Sequence, residues 1–170
     1  MKTKLTPEIA YLVGLWKHRK SKEGLGITGG LKLAEVFMAE AVRQGLLDAN
    51  RIMATGRESY FYHTAYYSLF EKTVEEQLVR FAIKNEYSAN FIAGLFDSTG
   101  LLDGKTPVVE HADRTDDLML LRLGFRSELR AGRLRVVKGA QKFMEFIKPN
   151  LKLEIRKKEN KIPAKENEMP

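Results

Sequence analysis

The sequence predicts an α+β fold made of two diverged copies of one half. Four landmarks recur in the same order along the chain, and the distance between the copies shrinks from 80 to 76 residues. The landmarks pair Tyr11–Trp16 with Phe91–Phe96, Val42–Leu46 with Leu121–Phe125, Gly56–Arg57 with Gly132–Arg133, and Tyr67 and Phe70 with Phe143 and Phe146. Such a series is typical of a duplication followed by small deletions. Helices and hairpins without strand-helix-strand alternation argue against a parallel sheet.

The first half covers residues 1–86 and is expected to begin with a helix over 7–18. Thr6 can cap this helix, and Pro7 suits its first position. A strand at Leu25–Gly29, a helix over 31–47, a hairpin over 51–63 and a closing helix over 65–84 should follow. Because Gly29-Gly30 leads almost directly into the second helix, we predict that the first half is shortened.

The second half covers residues 87–151 and repeats this order, beginning with a helix over 87–97. Asp103-Gly104 predicts a hairpin turn within the extended region Leu101–His111. A helix over 115–124 with Asp113 or Thr115 as its cap, a hairpin over 126–137 and a helix over 139–149 should follow. Residues 152–170 carry both charge signs, two prolines and few large apolar side chains, so we predict a disordered tail.

Composition limits the partners and the chemistry. The 170-residue chain is 44% hydrophobic and can bury one core, and its formal charge of +7 favours an anionic partner, nucleic acid before an acidic membrane. The absence of cysteine excludes disulfides, thiolate zinc sites and a cysteine nucleophile. The apolar run Ile9–Trp16 is too short to span a bilayer, so we interpret it as the core helix of a cytoplasmic protein without a membrane partner.

Gly14 and Gly94 lie in the middle of the two apolar opening helices. Glycine there is less favourable than alanine by about 1 kcal/mol. Close approach of the two helices is a physical reason for glycine at both positions, so we predict that the helices pack together at a pseudo-twofold axis. With both halves in one chain, a monomer is expected.

The hairpin Ser127–Val137 carries the clearest binding signal. With Ala131-Gly132 as a two-residue turn, alternation predicts an apolar face and a charged face. The predicted charged face comprises Arg126, Glu128, Arg130, Arg133 and Arg135. Arginines on one face present bidentate donors to phosphates or guanine edges. Lys105, Arg114 and Arg57 are weaker candidates on loops and turns near the same surface.

The opening motifs Leu12–Trp16 and Ile92–Gly100 resemble the two signature helices of the LAGLIDADG homing-endonuclease family. The region from Asp117 to Phe125, the arginine hairpin and the segment Lys138–Ile147 are similar to that family's second half. The resemblance covers most of residues 7–150. It implies two αββαββα halves whose antiparallel strands form a saddle on duplex DNA, with the paired helices at its centre.

In that family an acidic residue at the eighth motif position of each helix holds divalent metal ions, which stabilise the attacking and leaving oxygens. The matching residues are Thr99 in the second copy and, without a gap, Arg19 in the first. Arg19 and Lys20 suit a phosphate better than a metal ion. A four-residue insertion would instead make Glu23 the displaced acid, and Lys138 matches the family's central lysine. Magnesium is therefore expected only for a chain that still cleaves, and no metal ligand is assigned.

These observations predict a double-stranded DNA-binding protein, derived from such an endonuclease, that lacks the paired metal-binding acids and acts as a regulator or an architectural module. One alternative is an active or weakly active magnesium-dependent endonuclease that uses Glu23. Another is an interaction domain whose saddle binds RNA or a protein. Strong salt dependence would favour a nucleic acid, and magnesium-dependent nicking would favour the enzyme.

Overall fold

The computed structural model describes residues 3–158, and its first half follows the predicted order of elements. It contains α1 (Pro7–Lys17), β1 (Leu25–Thr28), α2 (Leu31–Arg43), a short helical turn (Ala49–Arg51), β2 (Met53–Thr55), β3 (Glu58–Phe61), α3 (Thr64–Glu75) and α4 (Gln77–Arg80). α1 begins where the Thr6 hydroxyl accepts the Ile9 N–H at 3.1 Å. α2 stops short of the predicted residue 47 because Gly45 adopts a left-handed φ of 77°. The predicted closing helix is divided at Glu76, where φ is −97° and ψ is 17°.

The second half repeats this order with four clear strands. It contains α5 (Glu86–Thr99), β4 (Gly100–Asp103), β5 (Thr106–Val109), α6 (Arg114–Arg122), β6 (Arg126–Arg130), β7 (Arg133–Lys138), α7 (Ala140–Ile147) and a short helical turn (Lys148–Asn150). α6 begins with a capping box, in which the Asp113 side chain accepts the Asp116 N–H at 2.9 Å and the Asp116 side chain accepts the Asp113 N–H at 3.1 Å. Gly104, with a φ of 63°, forms the predicted turn between β4 and β5.

The two halves meet where α1 and α5 pack at Gly14 and Gly94. A Cβ atom added to Gly14 would lie 2.1 Å from the Phe91 carbonyl oxygen, and one added to Gly94 would lie 2.1 Å from the Tyr11 carbonyl oxygen. Tyr11 and Phe91 hold the same position in the two copies, so the contact repeats itself under the internal symmetry. The halves are therefore related by a pseudo-twofold axis, and a side chain on either glycine would force the helix backbones apart.

The two sheets have matching strand orders, with one strand cut short in the first. The first sheet is antiparallel in the order β1-β3-β2, and the second is antiparallel in the order β4-β5-β7-β6. The counterpart of β4 in the first sheet is reduced to residues 19–21. There Lys20 forms one bridge with Ile27, and Thr28 donates its N–H to the Arg19 carbonyl oxygen at 2.8 Å. The first half is thus shortened at the position that the sequence predicts.

Residues 151–158, termed the C-terminal segment, lie against the second half, although the sequence predicts disorder from residue 152. The Leu102 N–H donates to the Arg156 carbonyl oxygen at 2.8 Å, and the Lys158 N–H donates to the Leu102 carbonyl oxygen at 2.8 Å. Leu153 and Ile155 pack against the core, and these contacts order the segment. The remaining part of the predicted tail, residues 159–170, lies outside the described residues.

A single core runs through both halves. It includes Phe37 and Phe70 from the first half and Phe125 and Phe143 from the second, with α1 and α5 between them. Within residues 3–158, no helix combines the length and the apolar character needed to cross a membrane.

Replacing Gly14 by alanine is expected to lower the free energy of unfolding by about 3 kcal/mol or more, because the added methyl group would collide with backbone atoms of α5. The higher helix propensity of alanine would offset only about 1 kcal/mol. Urea unfolding followed by circular dichroism measures the difference. Gly30→Ala is the matched control, since a Cβ atom there meets nothing within 4 Å and φ is −70°. Equal unfolding midpoints for the wild type and Gly14→Ala would contradict the close helix contact.

Candidate nucleic-acid interface

Strands β6 and β7 form the hairpin whose arginines are the main candidates for DNA contacts. Arg130 lies opposite Arg133 and Glu128 lies opposite Arg135, in the register that the sequence predicts. Both residues of the turn Ala131-Gly132 have a left-handed φ, 50° and 76°, which is typical of a two-residue type I′ turn. The turn therefore fixes which side chains share a face of the hairpin.

One face of this hairpin is buried and the other carries charge. Leu134 and Val136 of β7 are each 1% exposed and pack into the core. Because side chains alternate along a strand, their neighbours point to the opposite face. That face, termed the arginine face, comprises Arg126, Glu128, Arg130, Arg133 and Arg135.

Three of the four arginines on this face have no ionic partner among residues 3–158. Arg135 is the exception, since its Nη1 donates to Asp103 Oδ2 at 2.8 Å, and this hydrogen bond lowers the pKa of the Asp103 carboxyl. The Nε of Arg133 is buried without a hydrogen-bond partner within the same residues. Arg126, Arg130 and Arg133 can therefore pair with an anionic ligand.

The first sheet has no equivalent of the arginine face. The two sheets can be matched by their strand pairing. The Lys20–Ile27 bridge in the first sheet then corresponds to the Gly100–Val109 pair of β4 and β5 in the second. The corresponding face is then formed by Met53, Thr55, Glu58 and Tyr60. β3 thus has an acid and a tyrosine where β7 has Arg133 and Arg135. On this pair of matching faces, arginines are therefore present on the second sheet and not on the first.

The carboxyl-terminal ends of α1 and α5 lie side by side, and the eighth motif positions are located just after α1 and at the last residue of α5. Arg19 occupies one position, and its Nε donates to the Ser98 carbonyl oxygen at 2.9 Å. Thr99 occupies the other, and its hydroxyl donates to the Leu95 carbonyl oxygen at 3.3 Å within its own helix. Arg156 of the C-terminal segment also reaches this end, where its Nη2 donates to the Ser98 carbonyl oxygen at 3.1 Å.

These helix ends border a cavity of about 50 Å³, whose lining includes Arg19, Thr99, Glu110 and Arg156, termed the central site. Partial burial and the charge of Arg156 lower the pKa of the Arg19 guanidinium, and the charge of Glu110 opposes this effect. The central site therefore has two positive groups and one carboxylate. Its charge favours an anion over a cation.

The residues of the central site do not fit a pair of catalytic metal ions. Such a site needs oxygen ligands that carry negative charge, whereas the two motif positions hold the guanidinium of Arg19 and the hydroxyl of Thr99. Glu23 lies in the turn before β1, where it is exposed and accepts a hydrogen bond from the Tyr62 hydroxyl at 3.1 Å. α1 ends at Lys17, so the helix does not extend by a further turn towards Glu23.

A cluster of one histidine and two carboxylates lies beside the end of α1, and both carboxylates are paired with a lysine. His18, Asp113 and Asp116 bring possible metal-ligand atoms within 4.8 Å of one another. However, Lys17 Nζ lies 2.7 Å from Asp116 Oδ1 and 2.9 Å from Asp113 Oδ2, and Gln77 Oε1 accepts from the same ammonium at 2.6 Å. We term these five residues the lysine network. A metal ion at the carboxylates would face the Lys17 charge at close range.

The lysine network joins the end of α1 to the start of α6 in the other half. Burial alone would raise the pKa of the Asp116 carboxyl, but the hydrogen bond from His18 and the charge of Lys17 outweigh burial and hold this pKa well below its usual range. The side chains of Lys17 and Asp116 are 5% and 1% exposed, so each depends on the other for charge compensation.

The other predicted site residues are spread over the surface. Lys20 is exposed, with its Nζ 4.4 Å from the centre of the Trp16 ring. Lys138 is paired with Arg126 at the open end of the hairpin, and both residues line a groove of about 890 Å³. The remaining candidates are exposed on two hairpin turns and on the first turn of α6; they are Arg57, Lys105 and Arg114.

Sequence reasoning missed Arg156, Glu110 and the lysine network. Arg156 lies in the segment that charge and proline content marked as disordered, although Leu151, Leu153 and Ile155 alternate with polar residues as in a half-buried strand. That alternation was the available signal. Lys17 and Asp116 are 99 positions apart, and no local pattern links them.

No protein-family model and no curated protein sequence matches the chain. Among solved structures, the crystal structure of I-DmoI in complex with DNA and Mn aligns with a TM-score of 0.60 and 17% identity, over 88% of this chain and 98% of that chain. A structure of mesophilic variants of the homing endonuclease I-DmoI aligns with a TM-score of 0.58 and 19% identity, over 83% and 94%. A crystal structure of an I-DmoI variant with its target DNA and Mn aligns with a TM-score of 0.59 and 20% identity, over 83% of this chain and 93% of that chain. The chain therefore has the fold of a LAGLIDADG homing endonuclease, as the sequence motifs predict.

The lysine network should make stability depend on pH through Asp116. Because the folded-state pKa of Asp116 is depressed, its ionised form contributes stability above about pH 4, and this contribution is lost as the pH falls towards the folded-state value. Asp116→Asn should therefore lower the free energy of unfolding by about 3 kcal/mol at pH 6 and by less at pH 3. Urea unfolding at both pH values tests this, with the exposed Asp48→Asn as control. A difference that stays constant from pH 6 to pH 3 would contradict the assignment.

Proposed function

We propose that this chain binds double-stranded DNA through the arginine face and does not cleave it. The observation that carries the proposal is a set of three guanidiniums on one sheet face, those of Arg126, Arg130 and Arg133, which have no ionic partner among residues 3–158. The fold adds support, because similar structures of I-DmoI are complexes with DNA. A protein that binds DNA without cleaving it is suited to act as a regulator or an architectural module.

The spacing of the arginines fits a polyanion. Arg130 and Arg133 are directly opposed across the hairpin, so two positive charges are close together on the same face. Like charges in this position repel each other and are stabilised when an anion lies between them. Guanidiniums bind phosphate oxygens in a bidentate manner, and contacts of this kind supply most of the affinity of sequence-independent DNA binding.

Absence of cleavage is proposed from the central site. Arg19 and Thr99 occupy the motif positions where the resemblance implies metal-binding acids. The Thr99 hydroxyl is engaged by the Leu95 carbonyl oxygen, and the Arg19 guanidinium repels divalent cations. Bound DNA would therefore remain intact in the presence of magnesium.

Fluorescence anisotropy with a labelled random-sequence duplex tests DNA binding. The wild type should bind, and its affinity should fall steeply between 50 and 200 mM salt, since phosphate contacts release counterions. The double variant Arg130→Gln/Arg133→Gln should bind at least about tenfold more weakly and show a salt slope reduced by about 2. Lys72→Gln/Arg80→Gln is the charge-matched control, because it removes two positive charges from α3 and α4.

A denaturing gel of the same samples with magnesium tests the second part of the proposal. Intact strands support binding without cleavage, whereas magnesium-dependent nicks would favour the endonuclease alternative. A wild type that fails to bind any duplex at low salt would overturn the DNA proposal. RNA and protein partners would then be tested next.

A further inference from the structure

The C-terminal segment brings a side chain to the central site from outside both repeated halves. Its backbone is fixed at two points, where the Lys152 N–H donates to Asp97 Oδ2 at 2.8 Å and the Leu102 N–H donates to the Arg156 carbonyl oxygen at 2.8 Å. Between these points Leu153 and Ile155 pack against the core. The position of Arg156 is therefore set by the fold and not by a free chain end.

Arg156 and Arg19 converge on one acceptor. Their guanidiniums donate to the same Ser98 carbonyl oxygen, at 3.1 Å and 2.9 Å. Each guanidinium has five N–H donors, so one carbonyl oxygen accounts for a small part of their capacity. Neither arginine forms a salt bridge within residues 3–158. Two like charges held this close are stabilised when an anion lies between them.

The surroundings limit what this anion can be. The cavity of about 50 Å³ at the two arginines is too small for a nucleobase or a peptide. It adjoins a groove of about 520 Å³ that shares Arg19 and Arg156 and is also lined by two lysines, Lys32 and Lys152, and by two carboxylates, Asp97 and Glu154, so positive groups are in the majority. A small, multiply charged oxyanion connected to a larger ligand fits this arrangement, and guanidinium pairs bind phosphate oxygens in this way.

We propose that Arg19 and Arg156 together bind one phosphate group, so that the C-terminal segment is part of the DNA-binding site. The inference deepens the proposed function and rests on it for the source of the phosphate, which is the DNA backbone. Arg19 lies just after α1 and Arg156 lies in the segment after α7, so the site requires two parts of the chain that are far apart in the sequence. Free inorganic phosphate has the same chemistry and is distinguished experimentally.

The salt dependence of DNA binding tests the site directly. Arg156→Gln should weaken binding to the random duplex by about tenfold and reduce the slope of log K against log salt by about 1, the change expected for loss of one phosphate contact. Arg156→Lys should keep most of the slope but lose affinity, because it retains the charge and loses the fork of donors. Arg80→Gln, on α4, is the control for loss of one positive charge and should change neither quantity much.

Folding is followed separately, since Arg156 also donates to the Ser98 carbonyl oxygen. Urea unfolding midpoints of the Arg156 variants identify any loss of affinity that comes from unfolded protein. If Arg156→Gln is folded and binds DNA with the affinity and slope of the wild type, the inference is overturned while the proposed function stands. If the wild type does not bind DNA, the proposed function fails, and a phosphate titration alone decides whether the site exists.

That titration measures the thermal midpoint in sodium phosphate against sodium chloride of equal ionic strength. If DNA is the source, the wild type binds DNA in a manner that depends on Arg156, whatever the phosphate series shows. A phosphate-specific rise that Arg19→Gln and Arg156→Gln both abolish, together with DNA binding that does not depend on Arg156, would assign the site to free phosphate and overturn its role in DNA binding. Absence of both effects would overturn the inference.

Discussion

Gly14 and Gly94 let the backbones of α1 and α5 touch, and the positions of the other elements follow from that distance. Each sheet continues from the end of one of these helices, so the separation of the helices fixes how the two sheets lie relative to each other. The contact is reciprocal, since each glycine faces the carbonyl oxygen three residues before the other. A change at one glycine therefore acts on both halves at once. This explains why an internal repeat kept a residue that weakens each helix when considered alone.

Charged side chains at the ends of the central helices join these helices to other parts of the fold. Lys17 and Asp97 hold the same motif position in the two copies, and each is tied to a different part of the fold. Lys17 forms the lysine network with α6, while Asp97 accepts hydrogen bonds from Tyr11 and from the C-terminal segment. Burial raises the pKa of the Asp97 carboxyl, and these hydrogen bonds oppose the effect. Carboxylates near the helix ends thus serve to join elements, and guanidiniums occupy the space between the motif positions.

The fold was predictable because its signals are local and repeated. The mid-helix glycines, the capping residues before α1 and α6, and the turn at Ala131-Gly132 each fix one step of the chain by short-range geometry. The candidate site was predictable only in part. The arginine face follows from alternation along two strands, whereas Arg156 and the lysine network depend on contacts between positions far apart in the sequence. Composition also predicted disorder for residues 152–158, and this prediction was wrong. The segment is rich in exposed charges, but its alternating apolar side chains pack against the core and hold it in place.

The difference between the two sheets gives the molecule a direction. The second sheet presents arginines, and the matching face of the first presents Met53, Thr55, Glu58 and Tyr60. A symmetric saddle would read the two arms of a palindrome in the same way. Here one arm would be held by positive charge, whereas the matching face of the other arm has no positive group and carries the carboxylate of Glu58. A bound duplex would therefore have a defined polarity relative to the protein. Non-palindromic sites suit such a surface, and two molecules meeting on one duplex could lie head to head or head to tail with different consequences for the DNA between them.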